Sequence, residues 1–208
     1  MLVVERFDRH WRSGSELLRL PQEDCCQALG IPPVRKYQSE GGPTAVQILK
    51  LLQQADEPIN DQSAFLKALI LFWLIGATDG HGKNFSIYLR PGGRYGLTPF
   101  YDVLSAQPAF DQRQIPHRSY KLAMSAGNSR KYKIVEIAGR HFVETGKEGG
   151  MGRAIIMQVI QEILDTMDTA PARVLGRMPT DFATDIHKSI VRGMETRRGL
   201  LEAGLNEL

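Results

Sequence analysis

At 208 residues the chain is long enough to bury a core of its own without disulfide or metal staples. Its 42% hydrophobic and 24% charged residues are those of a globular protein and exclude a disordered chain. The formal charge of +3 is unevenly held: residues 1–110 are neutral, 111–133 carry +5 and 134–208 carry −2, which argues against a general polyanion binder and leaves one local basic patch. Cys25 and Cys26 are adjacent, so they frame neither a disulfide scaffold nor a zinc site, and a reducing compartment is expected. The apolar start of the chain stops at Glu5, which is no signal peptide. The longest apolar run, 68–77, is far short of the ~20 residues a membrane span needs. The expectation is a soluble, cytoplasmic chain without a membrane partner.

Taken in chain order, Leu2-Val3-Val4 reads as a short β-like run. Residues 17–29 have helix-like apolar spacing, broken by Pro21 and stopped by Gly30-Ile31-Pro32-Pro33. Gly41-Gly42-Pro43-Thr44 is a turn that starts a helix presenting Val46, Ile48, Leu49 and Leu52. Residues 62–78 form the strongest predicted helix, apolar nearly all round and therefore central. A polar loop, Asp79-Gly80-His81-Gly82-Lys83-Asn84, follows it. Phe85–Leu89 and Tyr95–Phe100 read as two strands of a hairpin turning at Arg90-Pro91-Gly92-Gly93-Arg94. Residues 105–130 show no period and read as a long loop. The last third is helical, with Ile155–Met167 at 3–4 spacing and a final helix capped by Pro179-Thr180-Asp181. No internal repeat is present, and the expected fold is mostly α with one β-hairpin.

One constellation carries chemistry. The loop after the central helix holds an Asp and, five residues on, an Asn; the hairpin then delivers a second Asp, 18 residues after that Asn. Phosphoryl transfer needs such parts: a carboxylate to take the proton of the attacking hydroxyl, and an amide oxygen and a second carboxylate to hold Mg²⁺ against nucleotide phosphates. On this reading Asp79 is the base, Asn84 and Asp102 are magnesium ligands, His81 and Lys83 meet phosphate oxygens, and Tyr101 packs beside the nucleotide. The competing reading is that Asp and Asn in a Gly-rich loop are ordinary turn formers, and that a lone histidine there is a hydrogen-bonded loop residue.

The run Leu74–Ser86 together with Leu97-Thr98-Pro99-Phe100-Tyr101-Asp102 resembles the HipA family of toxin kinases. Val4-Glu5-Arg6-Phe7-Asp8-Arg9, Leu20-Pro21-Gln22-Glu23-Asp24 and Lys121-Leu122-Ala123-Met124 match the same family's pattern. The order Asp-Gly-His, rather than His-Gly-Asp, sets the chain apart from aminoglycoside phosphotransferase-like kinases. The resemblance runs from residue 2 to about 184. It implies an α-rich α+β fold, a protein-kinase-like C-lobe whose β-hairpin carries the catalytic and metal loops. It implies ATP as substrate with Mg²⁺, a catalytic Asp79, metal ligands Asn84 and Asp102, a hinge at Glu5 and Phe7 that contacts adenine, and further nucleotide contacts from His81, Lys83 and Tyr101. The partners implied are a helix-turn-helix antitoxin, through which alone DNA is met, and a protein substrate of the aminoacyl-tRNA synthetase class.

Within this single domain, residues 1–10 match the interlobe hinge, 62–102 the catalytic helix, loop and hairpin, and 131–208 the helical C-terminal part. The family's N-lobe, with its phosphate-covering loop and lysine, has no counterpart in these residues. The Gly-rich stretch 146–152 fits no nucleotide-binding pattern and reads as a loop between helices. Three functions remain open: the C-lobe of a kinase completed by a separate N-lobe chain, a non-catalytic module that binds the antitoxin, and an autonomous small-molecule phosphotransferase. The first is favoured by the intact Asp79, Asn84 and Asp102, and the last is weakest for want of a phosphate loop. The basic residues of 111–133 read as a solvated face rather than a docking site. His117, His141 and His187 lack metal-ligand spacing.

Overall fold

A computed structural model describes residues 3–205. β1 (Arg9–Arg12) and β2 (Glu16–Arg19) form an antiparallel hairpin that sets Trp11 opposite Leu17 and Arg9 opposite Arg19. Next come β3 (Gln22–Asp24) and α1 (Cys25–Ala28), with Asp24 and Gln27 closing a capping box. The same device, Thr44 with Gln47, opens α2 (Ala45–Leu52). α3 (Pro58–Ile75) leads into β4 (Ser86–Arg90) and β5 (Arg94–Leu97). Then follow α4 (Gln107–Asp111), the pair β6 (Lys121–Ala126) and β7 (Lys131–Lys133), and four helices: α5 (Gly139–Glu148), α6 (Arg153–Met167), α7 (Ala170–Leu175) and α8 (Thr184–Ala203). The fold is α+β, with helices predominating.

α3 is the axis because, from Phe65 on, its sequence is apolar nearly all round. Phe65, Leu66, Ile70, Trp73 and Leu74 are fully buried, and α2, α5, α6 and α8 all pack on it. The one polar group of Trp73 is satisfied: its indole Nε1 donates to the Ile134 carbonyl at 2.9 Å. The helix ends at Gly76, which is left-handed at φ 70°. A Cβ at that position would meet the Tyr120 hydroxyl at 2.0 Å. Gly76→Ala is therefore expected to cost roughly 2–3 kcal/mol, from the strained φ and the overpacking together. Gly92 (φ 77°) has nothing within 4 Å of an added Cβ, so thermal melting of Gly92→Ala gives the conformational part alone.

Several expectations give way to the coordinates. Leu17, Leu18 and Leu20 are not helical: the first two lie in β2, and Pro21, which biases its predecessor to extended backbone, keeps the helix from starting before the Asp24 cap. The hairpin β4–β5 gains a third strand, β3, antiparallel to β4 with Glu23 opposite Ile87. With β1–β2 and β6–β7 there are three small sheets, not one hairpin. Residues 105–130 are not a loop but hold α4 and β6, elements too short for a periodicity window to register. The last helix starts at Thr184 rather than at the Pro179 turn, and α7 precedes it. Gly146 lies inside α5, so only 149–152 form the connection to α6. Val3 and Val4 are exposed and in no strand; Leu2 lies outside the described residues. Among the described residues no helix is long and apolar enough to cross a membrane.

Candidate active site

The loop after α3 is squeezed into one conformation by its glycines. A Cβ on Gly80 would strike the Phe72 ring at 2.4 Å, and one on Gly82 would strike Pro43 at 2.5 Å. Gly82–Asn84 is a 3₁₀ turn, which leaves Asp79 exposed and draws Asn84 inside. The Asn84 side-chain nitrogen donates to the Asp79 carbonyl at 2.8 Å, and its backbone N–H donates to the His81 carbonyl at 2.9 Å. With the amide nitrogen used within the loop, the side-chain oxygen is the atom left for a cation.

A strap formed by residues 33–42 braces this loop from outside. The Lys36 carbonyl accepts from Gly82 N–H at 3.1 Å, and Gln38 exchanges two hydrogen bonds with Ser125 of β6. Between them the Tyr37 hydroxyl donates to Asp79 Oδ1 at 2.7 Å. That bond, helped by burial, pushes the Tyr37 phenol up to about 12. His81 lies edge-on to the Tyr37 ring, with centroids 5.1 Å apart, and its Nε2 is 3.9 Å from Asp79 Oδ2. Burial lowers the His81 pKa, with Asp79 opposing, which favours the neutral imidazole. Its Nδ1 is buried without a partner.

The segment expected as the hinge lies against the β3–β4–β5 sheet, where the Tyr88 hydroxyl of β4 donates to the Phe7 carbonyl at 3.2 Å. Phe7 stacks on Tyr101, with centroids 5.6 Å apart, and meets Tyr88 edge-on at 5.8 Å. Tyr101 donates to the Lys83 carbonyl at 2.8 Å and lies 2.5 Å from Ser86 Oγ. Glu5, Phe7, Gln22 and Tyr101 line a cavity of about 240 Å³. Gln22 Oε1 is buried beside it with no partner. The segment is anchored at Asp8, which is buried under Arg6 at 2.7 Å and Arg9 at 2.6 Å. Hydrogen bonding from Arg6 holds the Asp8 carboxyl below its usual range.

The expected site residues thus fall into two joined groups. Asp79, His81 and Asn84 share the loop; Glu5, Phe7 and Tyr101 wall the cavity; the Tyr101–Lys83 bond links the two. Lys83 itself is engaged, its ammonium 2.8 Å from Asp24 Oδ2. Asp102 follows Tyr101, exposed and left-handed at φ 56°, a backbone state that Asp and Asn tolerate better than other side chains. Among the described residues no three His, Cys, Asp or Glu side chains converge as metal ligands. Asn84 and Asp102 nevertheless suit Mg²⁺, which takes one or two protein oxygens and completes its shell with phosphates and water. Sequence reasoning missed Tyr37, which no motif marks, and Gln22, which lies within a matched run but was given no role.

Residues 1–171 match the family model described as HipA-like C-terminal domain. The chain belongs to that family. It is 38% identical over 175 residues to a Sinorhizobium fredii protein named as a kinase, Y4mE, covering 84% of this chain and 40% of that protein. It is 31% identical over 125 residues to the serine/threonine-protein kinase toxin HipA of Shewanella oneidensis, covering 54% of this chain and 29% of HipA. Its fold matches a chain of the S. oneidensis HipA, HipB and operator DNA complex at a TM-score of 0.79 and 22% identity, over 97% of this chain and 50% of that one. This HipA-like chain spans half or less of the length of these relatives.

Proposed function

We propose that this chain is the C-lobe of a HipA-like serine/threonine protein kinase and transfers the γ-phosphoryl group of ATP to a protein hydroxyl. The observation that carries the reading is the Asn84–Asp79 hydrogen bond, which ties the proposed metal ligand to the backbone of the proposed base beside the cavity of Phe7 and Tyr101. Asp79 keeps Oδ2 for the acceptor proton, since Oδ1 already accepts from Tyr37. The acceptor oxygen bonds to the γ-phosphorus as the bridging P–O bond breaks. ADP leaves with the electron pair, and the proton passes to Asp79. Asn84 and Asp102 would hold Mg²⁺, which neutralises charge on the phosphates. Phe7 and Tyr101 supply apolar walls for adenine, and the unpartnered Gln22 Oε1 is an acceptor for a nucleotide N–H or O–H. The rest of the kinase, an N-lobe carrying further phosphate contacts, completes the cleft. The partner proposed is a HipB-like helix-turn-helix antitoxin, supported by the complex in which the structural relative was solved; an aminoacyl-tRNA synthetase is the proposed class of substrate.

Calorimetric titration with MgATP tests the nucleotide site. Binding is expected for the wild-type chain and at least about tenfold weaker for Asp102→Asn, which keeps the left-handed backbone and removes the charge. If the wild type binds no nucleotide up to millimolar concentration, the reading as a nucleotide-binding C-lobe falls. The non-catalytic antitoxin-binding module then takes its place.

A further inference from the structure

A second cavity, of about 210 Å³, has Asp79 in its lining and shares no lining residue with the Phe7–Tyr101 cavity. Its walls are Tyr37, Asp79, Ser119, Lys121 and Tyr132. The strap supplies Tyr37, and the β6–β7 sheet supplies Lys121 and Tyr132. Gln38 locks these two walls together through Ser125. The cavity is thus built by elements that are themselves hydrogen-bonded to each other.

Its charge is unbalanced. Lys121 stands directly across the strand pair from Lys133, a like-charge arrangement that destabilises a sheet. Lys133 is compensated by Glu136 at 2.9 Å, with Lys131 nearby. Lys121 makes no ion pair among the described residues. A cation without an ion pair that lines the same cavity as a carboxylate suits a ligand that brings both an anion and a hydroxyl.

We propose that this cavity is the acceptor subsite, and that it takes a hydroxyl-bearing protein segment flanked by an acidic residue. The inference rests on the kinase reading for the role of Asp79. Tyr37 occupies Oδ1 and leaves Oδ2 for the acceptor hydroxyl, while Lys121 pairs with the acidic flank and is the specificity-determining residue. The 111–133 charge thereby has a use at one position, against the sequence expectation of a merely solvated face.

The test needs no turnover. The chain is labelled with ¹³C-tyrosine, and Tyr37 and Tyr132 are assigned from their Phe variants. Two serine peptides, identical except for Glu or Lys flanks, are titrated to millimolar concentration. The Glu peptide is expected to move both tyrosine signals and the Lys peptide neither. Lys121→Glu is expected to weaken the response at least about tenfold, and Lys121→Arg to keep it. An equal response to both peptides, no response to either, or a response that survives Lys121→Glu overturns the proposal. So does a shift of Tyr132 by MgATP alone that Lys121→Glu removes, because Lys121 then serves the nucleotide phosphate. MgATP affinity, read by calorimetry, judges the nucleotide site independently of these outcomes.

Discussion

Asp79→Asn is expected to slow phosphoryl transfer by about 10²–10⁴-fold, the usual contribution of a positioned general base. The substitution is close to isosteric. The Asp79 backbone carbonyl still accepts from Asn84, and an amide oxygen at position 79 still accepts from Tyr37, so the loop keeps its shape. What disappears is the atom that takes the acceptor proton. MgATP affinity is expected to stay unchanged, because the proposed metal ligands are Asn84 and Asp102. Asp102→Asn, by contrast, is expected to lose affinity and rate together. Single-turnover transfer of labelled γ-phosphate, in a form of the protein that turns over ATP, combined with calorimetry separates the two. Equal rates for wild type and Asp79→Asn would remove Asp79 from its assigned role.

The second large effect lies away from the site. Arg197→Met is expected to lower unfolding stability by about 4 kcal/mol. Arg197 is only 6% exposed, yet among the described residues it forms no ion pair with a carboxylate. Instead Nε and Nη2 donate to the Leu74 carbonyl at 2.9 and 2.7 Å, and Nη2 also donates to Gln107 Oε1 at 2.8 Å. Leu74 lies in the last turn of α3, where carbonyls lack helical partners. Gln107 is tied in turn to Tyr120 and Asp111, and Asp111 to Ser189. Burial lowers the Arg197 pKa, with Tyr120 acting against it. Methionine keeps the aliphatic stem but strands the buried Leu74 carbonyl and leaves Gln107 Oε1 to Tyr120 alone. Arg198, paired at the surface with Asp168 and Glu202, is the control, and Arg198→Met is expected to cost under about 1 kcal/mol. Urea midpoints compare the two; similar losses would mean that the buried network is not what holds α8 to α3.

The parts of the molecule that could be read in the sequence are those whose cause is local. α3 announces itself by an apolar surface that no solvent-facing helix would carry, and Gly76 ends it. Pro91-Gly92-Gly93 marks a turn between two short apolar runs, and the strands follow. β2 and β6 were illegible because their pairing, not their composition, makes them strands: β6 is held by β7 and by the Gln38 side chain 87 residues away. Tyr37 was hidden for the same reason, since its partner lies 42 residues on. The spacing of Asp79, Asn84 and Asp102 suggested the candidate site and their roles in it, and family resemblance alone added Glu5 and Phe7. The structure adds the bonds that hold Asp79 and Asn84 in place.

The placement of the two tryptophans gives the protein a pair of optical reporters in contrasting surroundings. Trp73 is fully enclosed in the last turn of α3, where its indole has no access to water, and its emission is expected toward the blue. Trp11 stands 61% exposed on the β1–β2 hairpin, three residues past Asp8, and its emission is expected toward the red. One indole therefore follows the integrity of the interior. The other follows the β1–β2 hairpin that continues from Asp8, and the two colours can be followed in a single unmodified sample.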